Sequence, residues 1–175
     1  GGPFPDSTLA AAVRYAHSKG VIVICAAGNS SKKGSGYPAG YPEALSISAT
    51  DFSEELTWYS NYGPDIDLAA PGGDTRNDKN GDGQPDGVLQ NTIATGDPTR
   101  QGYHWFQGTS MACPHAAGVA ALVEACGVTE PTAVEGILKS TARSKGKEGR
   151  EKGYGAGIVD AQRAVNKASI VYGAW

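Results

Sequence analysis

The feature that most constrains the fold is an uninterrupted apolar run at residues 21–27, Val-Ile-Val-Ile-Cys-Ala-Ala. The run has no polar alternation and begins with four β-branched residues, a pattern typical of a strand buried on both faces of a parallel sheet. Before it, residues 7–19 predict an amphipathic helix that ends at Gly20. A helix, a short turn and a buried strand form the repeating unit of an α/β fold.

The remainder of the chain continues this pattern. Strands are predicted at residues 44–50, 66–70 and 88–93, and further helices at residues 109–126, 131–142 and 160–168. Residues 58–64 predict a loop, and residues 73–86 form a long polar stretch. No internal repeat or linker interrupts the sequence, so the 175 residues are predicted to form one α/β domain.

Composition argues against several functional classes. The formal net charge of −3 offers no basic patch for nucleic acid, and the longest apolar run is far too short to cross a bilayer. Three cysteines, Cys25, Cys113 and Cys126, are too few for a disulfide scaffold, and the sequence leaves open whether one pair forms or none. The chain opens on Gly1 rather than Met, which predicts an internal start.

Residues 108–118, Gly-Thr-Ser-Met-Ala-Cys-Pro-His-Ala-Ala-Gly, carry the strongest chemical signal. A glycine-led turn places the Ser110 hydroxyl in the first turn of an alanine-rich helix. Unpaired N–H groups and the helix dipole favour developing negative charge there. A nucleophilic serine needs that setting, because its attack creates an oxyanion beside it. Taken alone, a serine at a helix start is usually only a cap.

A second signal follows the apolar run at Asn29. In open α/β sheets, ligands bind beyond the carboxyl ends of the strands. An amide N–H of Asn29 at that position can donate to an oxyanion. Taken alone, the dipeptide Gly28-Asn29 is better explained as an ordinary turn.

Residues 108–118 resemble the active-site serine motif of the subtilase family, Gly-Thr-Ser-Met-Ala-x-Pro-His-x-x-Gly, at every defined position. Residues 26–30 are similar to the family's Ala-Gly-Asn motif. Other similar blocks, which extend the resemblance over about residues 1–168, are residues 37–42, 59–63, 68–72 and 154–160. The resemblance implies the C-terminal part of a three-layer α/β/α subtilisin-like fold with a mostly parallel sheet, so that residues 1–175 form a partial catalytic domain. It also implies a cis proline in the 37–42 loop and a secreted protein.

The resemblance implies roles for individual residues. Ser110 would be the nucleophile, Asn29 and the Ser110 N–H would hold the oxyanion, and Thr109 would help to line that site. Substrate contacts would fall on Gly1, Ala27, Gly28 and Gly36. The last three would form an uncharged pocket floor for a hydrophobic or aromatic side chain before the cut. Cys113 departs from the family's usual Ala or Ser, which predicts sensitivity to mercury reagents.

The family's aspartate and histidine motifs would lie N-terminal to Gly1. Of the three histidines, His17 is predicted to be solvated on a helix surface, His115 to be structural, and His104 to lie in a loop approaching Ser110. The resemblance therefore implies a serine endopeptidase that cuts polypeptides through an acyl-enzyme on Ser110. Its histidine and aspartate would come from a missing N-terminal part. The alternatives are a non-catalytic calcium-binding or adhesion module and an inactive subtilase-derived fragment.

Residues 78–86, Asp-Lys-Asn-Gly-Asp-Gly-Gln-Pro-Asp, predict a calcium site. Oxygen-bearing side chains at alternate positions followed by a glycine match the first half of a calcium loop. The expected ligands are the side chains of Asp78, Asn80, Asp82 and Asp86 and the carbonyl of Gln84. The alternative is a solvated acidic loop. The family resemblance also implies a weaker cation site at the carbonyls near Ala39 and Tyr41, with Asp67.

Overall fold

The computed structural model describes residues 1–94, 96–146 and 150–173. The described helices are α1 (Ser7–Ser18), α2 (Thr109–Ala125), α3 (Pro131–Thr141) and α4 (Ala161–Tyr172), with a short π-helical turn at Arg150–Tyr154. The strands are β1 (Val23–Ala26), β2 (Ala44–Thr50), β3 (Leu68–Pro71), β4 (Val88–Ala94) and β5 (Asp97–Phe106).

Strands β1, β2 and β3 form a parallel sheet in that order. One face packs against α2, α3 and α4 in the main core, whose largest fully buried side chains include Ile47, Leu68 and Leu138. The other face packs against α1, where Val23 and Cys25 of β1 contact a small cluster around Val13. Helices therefore cover both faces of a parallel sheet, which confirms the predicted α/β class with three layers.

Strand β1 is shorter and less buried than the sequence predicts. It covers Val23–Ala26 rather than residues 21–27, its residues are half-buried, and Val21 is 50% exposed. Both faces of β1 pack as predicted, Ile24 against the main core and Val23 and Cys25 against the α1 cluster. The strand is nevertheless only half-buried because, in the described residues, only β2 pairs with it and its other edge is open. Strand β3 also begins two residues later than predicted, at Leu68.

Strands β4 and β5 form an antiparallel hairpin outside the parallel sheet. The sequence predicted β4 but not β5, and it placed His104 in a loop. His104 instead lies in β5, opposite Gln90 of β4. The β5 sequence contains Pro98 and Gly102 and is mostly exposed, so it lacks the burial pattern by which a strand is recognised.

Two glycines bring the end of β3 against the start of α2. The Gly108 N–H donates to the Gly72 carbonyl at 3.0 Å. A Cβ at Gly72 would lie only 2.5 Å from the Ala49 Cβ and 2.8 Å from the Gly108 oxygen. A side chain at Gly72 would therefore push the two elements apart, so glycine sets the position of the α2 N-terminus.

Two further features complete the fold. The Tyr37–Pro38 peptide bond is cis, as the family resemblance implies. In the parts of the chain that the structure describes, no helix is long and apolar enough to cross a membrane.

Candidate active site

Ser110 lies in the first turn of α2, and its side chain is exposed. Gly108 precedes the helix with φ +147°, a conformation that side chains disfavour, while Thr109 is only 1% exposed. The helix N-terminus thus presents the Ser110 hydroxyl and first-turn N–H groups to solvent. Nothing in the described residues hydrogen-bonds to the Ser110 side chain, so a reacting partner has access to it.

The Asn29 side chain is fixed beside this turn by Thr109. Its Oδ1 accepts from the Thr109 N–H at 2.9 Å and from the Thr109 Oγ1 at 2.8 Å. Because Oδ1 is held by two donors, the Nδ2 group is left to face outward. A Cβ built on Gly108 would lie 3.3 Å from Asn29 Nδ2 and 3.6 Å from Ser110 N, so both nitrogens border the space beside Gly108.

Thr109 also anchors the preceding loop. Its Oγ1 accepts from the Gly28 N–H at 3.2 Å while donating to Asn29. One buried hydroxyl therefore joins residues that are about 80 positions apart in the chain. The Thr109 hydroxyl thus holds the Gly28 backbone and the Asn29 side chain in place through one accepted and one donated hydrogen bond.

A cleft of about 590 Å³ opens beside Ser110 and Asn29. The predicted substrate-contacting residues all line it, namely Gly1, Ala27, Gly28, Gly36 and Thr109. Its walls are backbone-rich: Gly36 N–H donates to the Ala27 carbonyl at 2.8 Å. The structure thus brings the two predicted catalytic residues and the predicted pocket residues into one cavity.

The sequence interpretation gave no role to Asn61, which shapes this cleft. The Asn61 Nδ2 donates to the Ala27 carbonyl at 2.9 Å, and its Oδ1 accepts from the Ser30 N–H at 3.0 Å. A Cβ on Gly28 would lie 2.6 Å from the Asn61 Nδ2, so the close approach requires glycine. The only sequence signal for Asn61 is its place in the family-like block at residues 59–63.

The three histidines lie apart from the Ser110 hydroxyl. His17 is half-buried in α1, and His104 is exposed on β5. His115 Nδ1 is hydrogen-bonded to the Met111 carbonyl at 2.8 Å within α2. None of these histidines forms a hydrogen bond with Ser110 in the described structure.

All three cysteines are free thiols. Cys25 faces the α1 side of β1, whereas the Cys113 Sγ lies on the α2 side, 3.4 Å from the Ile24 carbonyl. A disulfide between them would have to pass through the strand. Burial, with a smaller contribution from Cys25, raises the pKa of the Cys113 thiol to about 11, so this thiol is protonated at neutral pH.

The loop at residues 78–86 is tightly bonded to its own backbone. Asp78 accepts from the Gly81 N–H at 2.8 Å and the Gly83 N–H at 3.0 Å, and Asp82 accepts from the Gln84 N–H at 2.8 Å. Gly81 and Gly83 both have positive φ. Within the described residues, no group of three or more His, Cys, Asp or Glu side chains is close enough to hold a metal ion.

Asp86 differs from Asp78 and Asp82 of this loop because it is buried. Its side chain is buried, with 7% exposure, and its Oδ2 accepts from the Lys79 N–H. Its Oδ1 is buried with no hydrogen-bond partner. An unpaired buried carboxylate oxygen is costly, so it marks a position where a cation or a water has a place.

The carboxylate of Asp67, assigned by resemblance to the weaker cation site, already has partners. Its Oδ1 lies 2.7 Å from the Lys139 Nζ, and its Oδ2 accepts from the Ser46 N–H at 2.8 Å. Lys139 also contacts Glu135. A lysine ammonium from α3 thus supplies the positive charge next to Asp67.

Comparisons with known proteins agree with this geometry. The subtilase family model matches residues 2–157. Subtilisin BL from Lederbergia lenta is 36% identical over 165 residues, which cover 94% of this chain and 53% of the relative. An extracellular protease from Xanthomonas campestris is 37% identical over 171 residues, covering 96% of this chain and 27% of the relative.

Solved structures give the same result. A protease from Pseudoalteromonas arctica PAMC 21717 superposes with a TM-score of 0.84 at 37% identity, covering 97% of this chain and 49% of that one. A lanthipeptide protease superposes with a TM-score of 0.73 at 28% identity, covering 91% of this chain and 54% of that one. The chain spans about half the length of subtilisin BL. The fold is subtilisin-like, and the chain belongs to the subtilase family.

Proposed function

We propose that this chain provides the nucleophile and the oxyanion hole of a serine endopeptidase. The observation that carries the proposal is the Asn29 amide, which two hydrogen bonds from Thr109 hold beside the first turn that bears Ser110. Such preorganised donors stabilise the charge that develops when a hydroxyl attacks a carbonyl. A helix cap alone would not require an asparagine from a distant loop to be fixed there.

The reaction proceeds by acyl transfer. The Ser110 Oγ attacks the carbonyl carbon of the scissile peptide bond, and its proton passes to a histidine. The oxyanion accepts hydrogen bonds from Asn29 Nδ2 and Ser110 N. The C–N bond then breaks, the histidine returns the proton to the leaving amine, and water hydrolyses the acyl-enzyme.

The histidine and its orienting aspartate come from an N-terminal part of the protein outside residues 1–175. The free edge of β1 supports this partner. Ala27 N donates to the Ile47 carbonyl of β2, so by alternation Ile24 and Ala26 direct their backbone groups to the opposite edge. An additional strand pairing there would satisfy those groups and bury the half-exposed β1 residues.

The test uses the full-length protein and a fluorogenic polypeptide substrate. Ser110→Ala is expected to abolish hydrolysis and the covalent labelling by a fluorophosphonate. Ser53→Ala, which removes an exposed hydroxyl from a turn, is the matched control and keeps both. Hydrolysis that survives in Ser110→Ala would reject the serine mechanism.

We also propose that the loop at residues 78–86 binds one Ca²⁺. The buried, unpartnered Oδ1 of Asp86 supports a cation at this position. The ligands would be the side chains of Asp78, Asn80, Asp82 and Asp86 and the carbonyl of Gln84. For the ion to bind, the carboxylates of Asp78 and Asp82 would give up hydrogen bonds that they now accept from backbone N–H groups of the loop. The ion would join the loop to β4 and stabilise the fold without entering the chemical step.

The protein is proposed to act outside the cell. The support is that one relative is named as an extracellular protease. Detecting the full-length protein in the culture medium of its source organism, and not in washed cells, would test this location.

A further inference from the structure

The cleft beside Ser110 carries two lysines that the proposed reaction does not use. Lys32 and Lys33 line it together with Asn29 and Ser110, and both lysines are exposed. They are the only charged side chains among the residues that line the cleft. Since the whole chain has a formal net charge of −3, the cleft is a locally positive site on an acidic protein.

Backbone hydrogen bonds hold this loop in place. The Asn61 Oδ1 accepts from the Lys32 N–H at 3.4 Å, and the Tyr62 N–H donates to the Lys32 carbonyl at 3.0 Å. The Gly34 N–H donates to the Tyr62 carbonyl at 2.8 Å. The lysine backbone is therefore attached to the segment that also supports the cleft, while the long side chains can follow a ligand.

Neither ammonium group is neutralised in the described structure. Ion pairs of the described structure engage Lys79, Lys139 and Lys145, and neither Lys32 nor Lys33 takes part in one. Asp65 lies near the stem of Lys33, because a Cβ on Gly63 would be 3.2 Å from Lys33 Cγ and 3.3 Å from Asp65 Oδ1. The other Asp65 oxygen accepts from the Ser35 N–H at 2.7 Å. Lys32 is thus the more available cation.

We propose that Lys32, assisted by Lys33, makes this cleft select substrates with glutamate at the residue whose carbonyl Ser110 attacks. The proposal rests on the proposed function, since Asn29 and Ser110 define where that carbonyl lies. Lys32 is three residues from Asn29, at most about 10 Å of extended chain, so its ammonium reaches into the same cleft.

Glutamate suits both parts of the cleft. Its aliphatic stem fits against the uncharged floor at Ala27, Gly28 and Gly36, and its carboxylate can pair with an ammonium at the rim. A leucine or phenylalanine side chain would make only the contacts with this uncharged floor. An exposed ion pair changes an equilibrium by up to about fivefold, so two lysines are expected to favour glutamate over glutamine by about threefold to tenfold.

The experiment compares full-length wild type with Lys32→Met, Lys33→Met and the double variant. Matched peptides carry Glu, Gln or Phe before the cut, and kcat/KM is measured at low and high salt. We expect the wild-type Glu/Gln ratio to exceed threefold at low salt, to fall at high salt, and to approach one in the double variant. Lys167→Met removes an equivalent charge from α4 and is expected to keep the wild-type ratio.

A wild-type ratio of one or less, or an unchanged ratio in the double variant, would overturn the proposal while leaving the protease function intact. If wild type cleaves none of the peptides, the proposed function fails instead. In that case, a binding assay decides the lysine proposal separately. The assay compares the affinities of peptides ending in Glu and in Gln for the Ser110→Ala protein, with the two lysines present and with both replaced by Met. A preference for Glu that is lost with the lysines would support the proposal, and equal affinities would overturn it.

Discussion

The Thr109 hydroxyl determines how the oxyanion donors are oriented. It accepts from Gly28 and donates to Asn29, so its one proton is committed to Asn29 Oδ1. The asparagine amide consequently has one allowed orientation, with Nδ2 as the outward group. We therefore propose that Thr109, which also lines the cleft, positions Asn29.

Replacing Asn29 with Asp separates two roles of its side chain, the acceptance of hydrogen bonds from Thr109 through Oδ1 and the proposed donation to the oxyanion through Nδ2. The aspartate keeps an oxygen for Thr109 but loses the N–H donor and places a negative charge where the oxyanion forms. We expect kcat of the full-length enzyme to fall by at least roughly 10²- to 10³-fold with KM nearly unchanged, a magnitude known from the loss of an oxyanion-hole asparagine in subtilisin. Peptide kinetics provide the measurement.

The Thr109 variants serve as controls for Asn29. Thr109→Ser keeps the hydroxyl and is expected to retain most of kcat, whereas Thr109→Val removes it and frees the Asn29 amide to rotate. An Asn29→Asp enzyme with wild-type kcat would remove this side chain from the mechanism.

Cys113 is expected to react slowly despite its position three residues after Ser110. With a pKa of about 11, only about one thiol in a thousand is ionised at pH 8, and the thiolate is the reactive form. Mass spectrometry after iodoacetamide treatment at pH 8 should find Cys113 unmodified in native protein and modified after urea unfolding. Rapid native labelling with loss of activity would instead favour the mercury sensitivity expected from the sequence.

At the level of single residues, the sequence pointed to Ser110 and Asn29 as candidate catalytic residues because both stand in specific motifs. It could not show how they are joined, since the Thr109–Asn29 contact links residues 80 positions apart. Lys32 escaped notice for a different reason. An exposed lysine in a polar loop belongs to no motif or periodic pattern that would mark it as functional. Only the folded structure shows that Lys32 lines the cleft beside Ser110.

At the level of secondary structure, the hairpin and the loop before it were harder to predict from the sequence than the parallel sheet. Strands β2 and β3 were predictable because nearly all their residues are buried and apolar residues recur along them, as at Leu45, Ile47 and Ala49 of β2. Strand β5 is held by pairing with β4 rather than by a core, so its sequence contains polar residues, a proline and a glycine. The loop at residues 78–86 leads directly into this hairpin, and a calcium ion there would stabilise the same region.

Calcium is expected to raise the melting temperature of the full-length Ser110→Ala protein, a background that prevents autolysis. Binding contributes about 2.7 kcal/mol when free calcium exceeds Kd a hundredfold. Asp82→Ala and Asp86→Asn should abolish the calcium-dependent shift, whereas Asp97→Asn in the neighbouring hairpin should keep it. Thermal unfolding with calcium and with chelator measures the effect.

Luminescence of Tb³⁺ gives a second readout of the same site. Trp105 lines a cavity together with Asp82 and Asp86, so it can sensitise a bound lanthanide. An equal calcium shift in wild type and Asp82→Ala would place the stabilising ion elsewhere.

The ion pairs of Lys139 join α3 to the sheet. Burial alone would lower the Lys139 pKa, but hydrogen bonds and charges from Asp67 and Glu135 outweigh it and raise the pKa above 10.5. A raised pKa means that the stabilisation is complete below pH 10.5 and is lost as the pH rises through the folded-state pKa.

Lys139→Met is therefore expected to lower the melting temperature at pH 8 by roughly 2–4 °C, corresponding to about 1 kcal/mol. The difference from wild type should shrink as the pH rises above 10.5 and through the raised folded-state pKa of Lys139. Lys167→Met, whose ammonium contacts only the Ser140 hydroxyl in the described structure, is the control. A difference that persists unchanged at high pH would assign the effect to packing rather than charge.

For the whole molecule, the proposed function divides the active site between residues 1–175 and an N-terminal part of the protein. Residues 1–175 contain the motifs from which Ser110, Asn29 and the cleft could be predicted. In the described residues, His115 is hydrogen-bonded to the Met111 carbonyl and His104 lies on the hairpin. The proposed function therefore predicts that a second part pairs with the β1 edge and completes the catalytic centre.

The polypeptide of residues 1–175 alone is expected to hydrolyse peptides negligibly, because Ser110 without a base remains a protonated alcohol. Adding the separately produced N-terminal part of the same protein should restore activity if the β1 edge accepts its strand. Activity should rise with the concentration of the added part and saturate. An Ile24→Pro variant, which removes a backbone N–H that faces the open edge of β1, should weaken this rescue, whereas Val171→Pro near the end of α4 should not. Turnover by the isolated chain that disappears in Ser110→Ala would contradict the prediction and make His104→Ala the next variant to test.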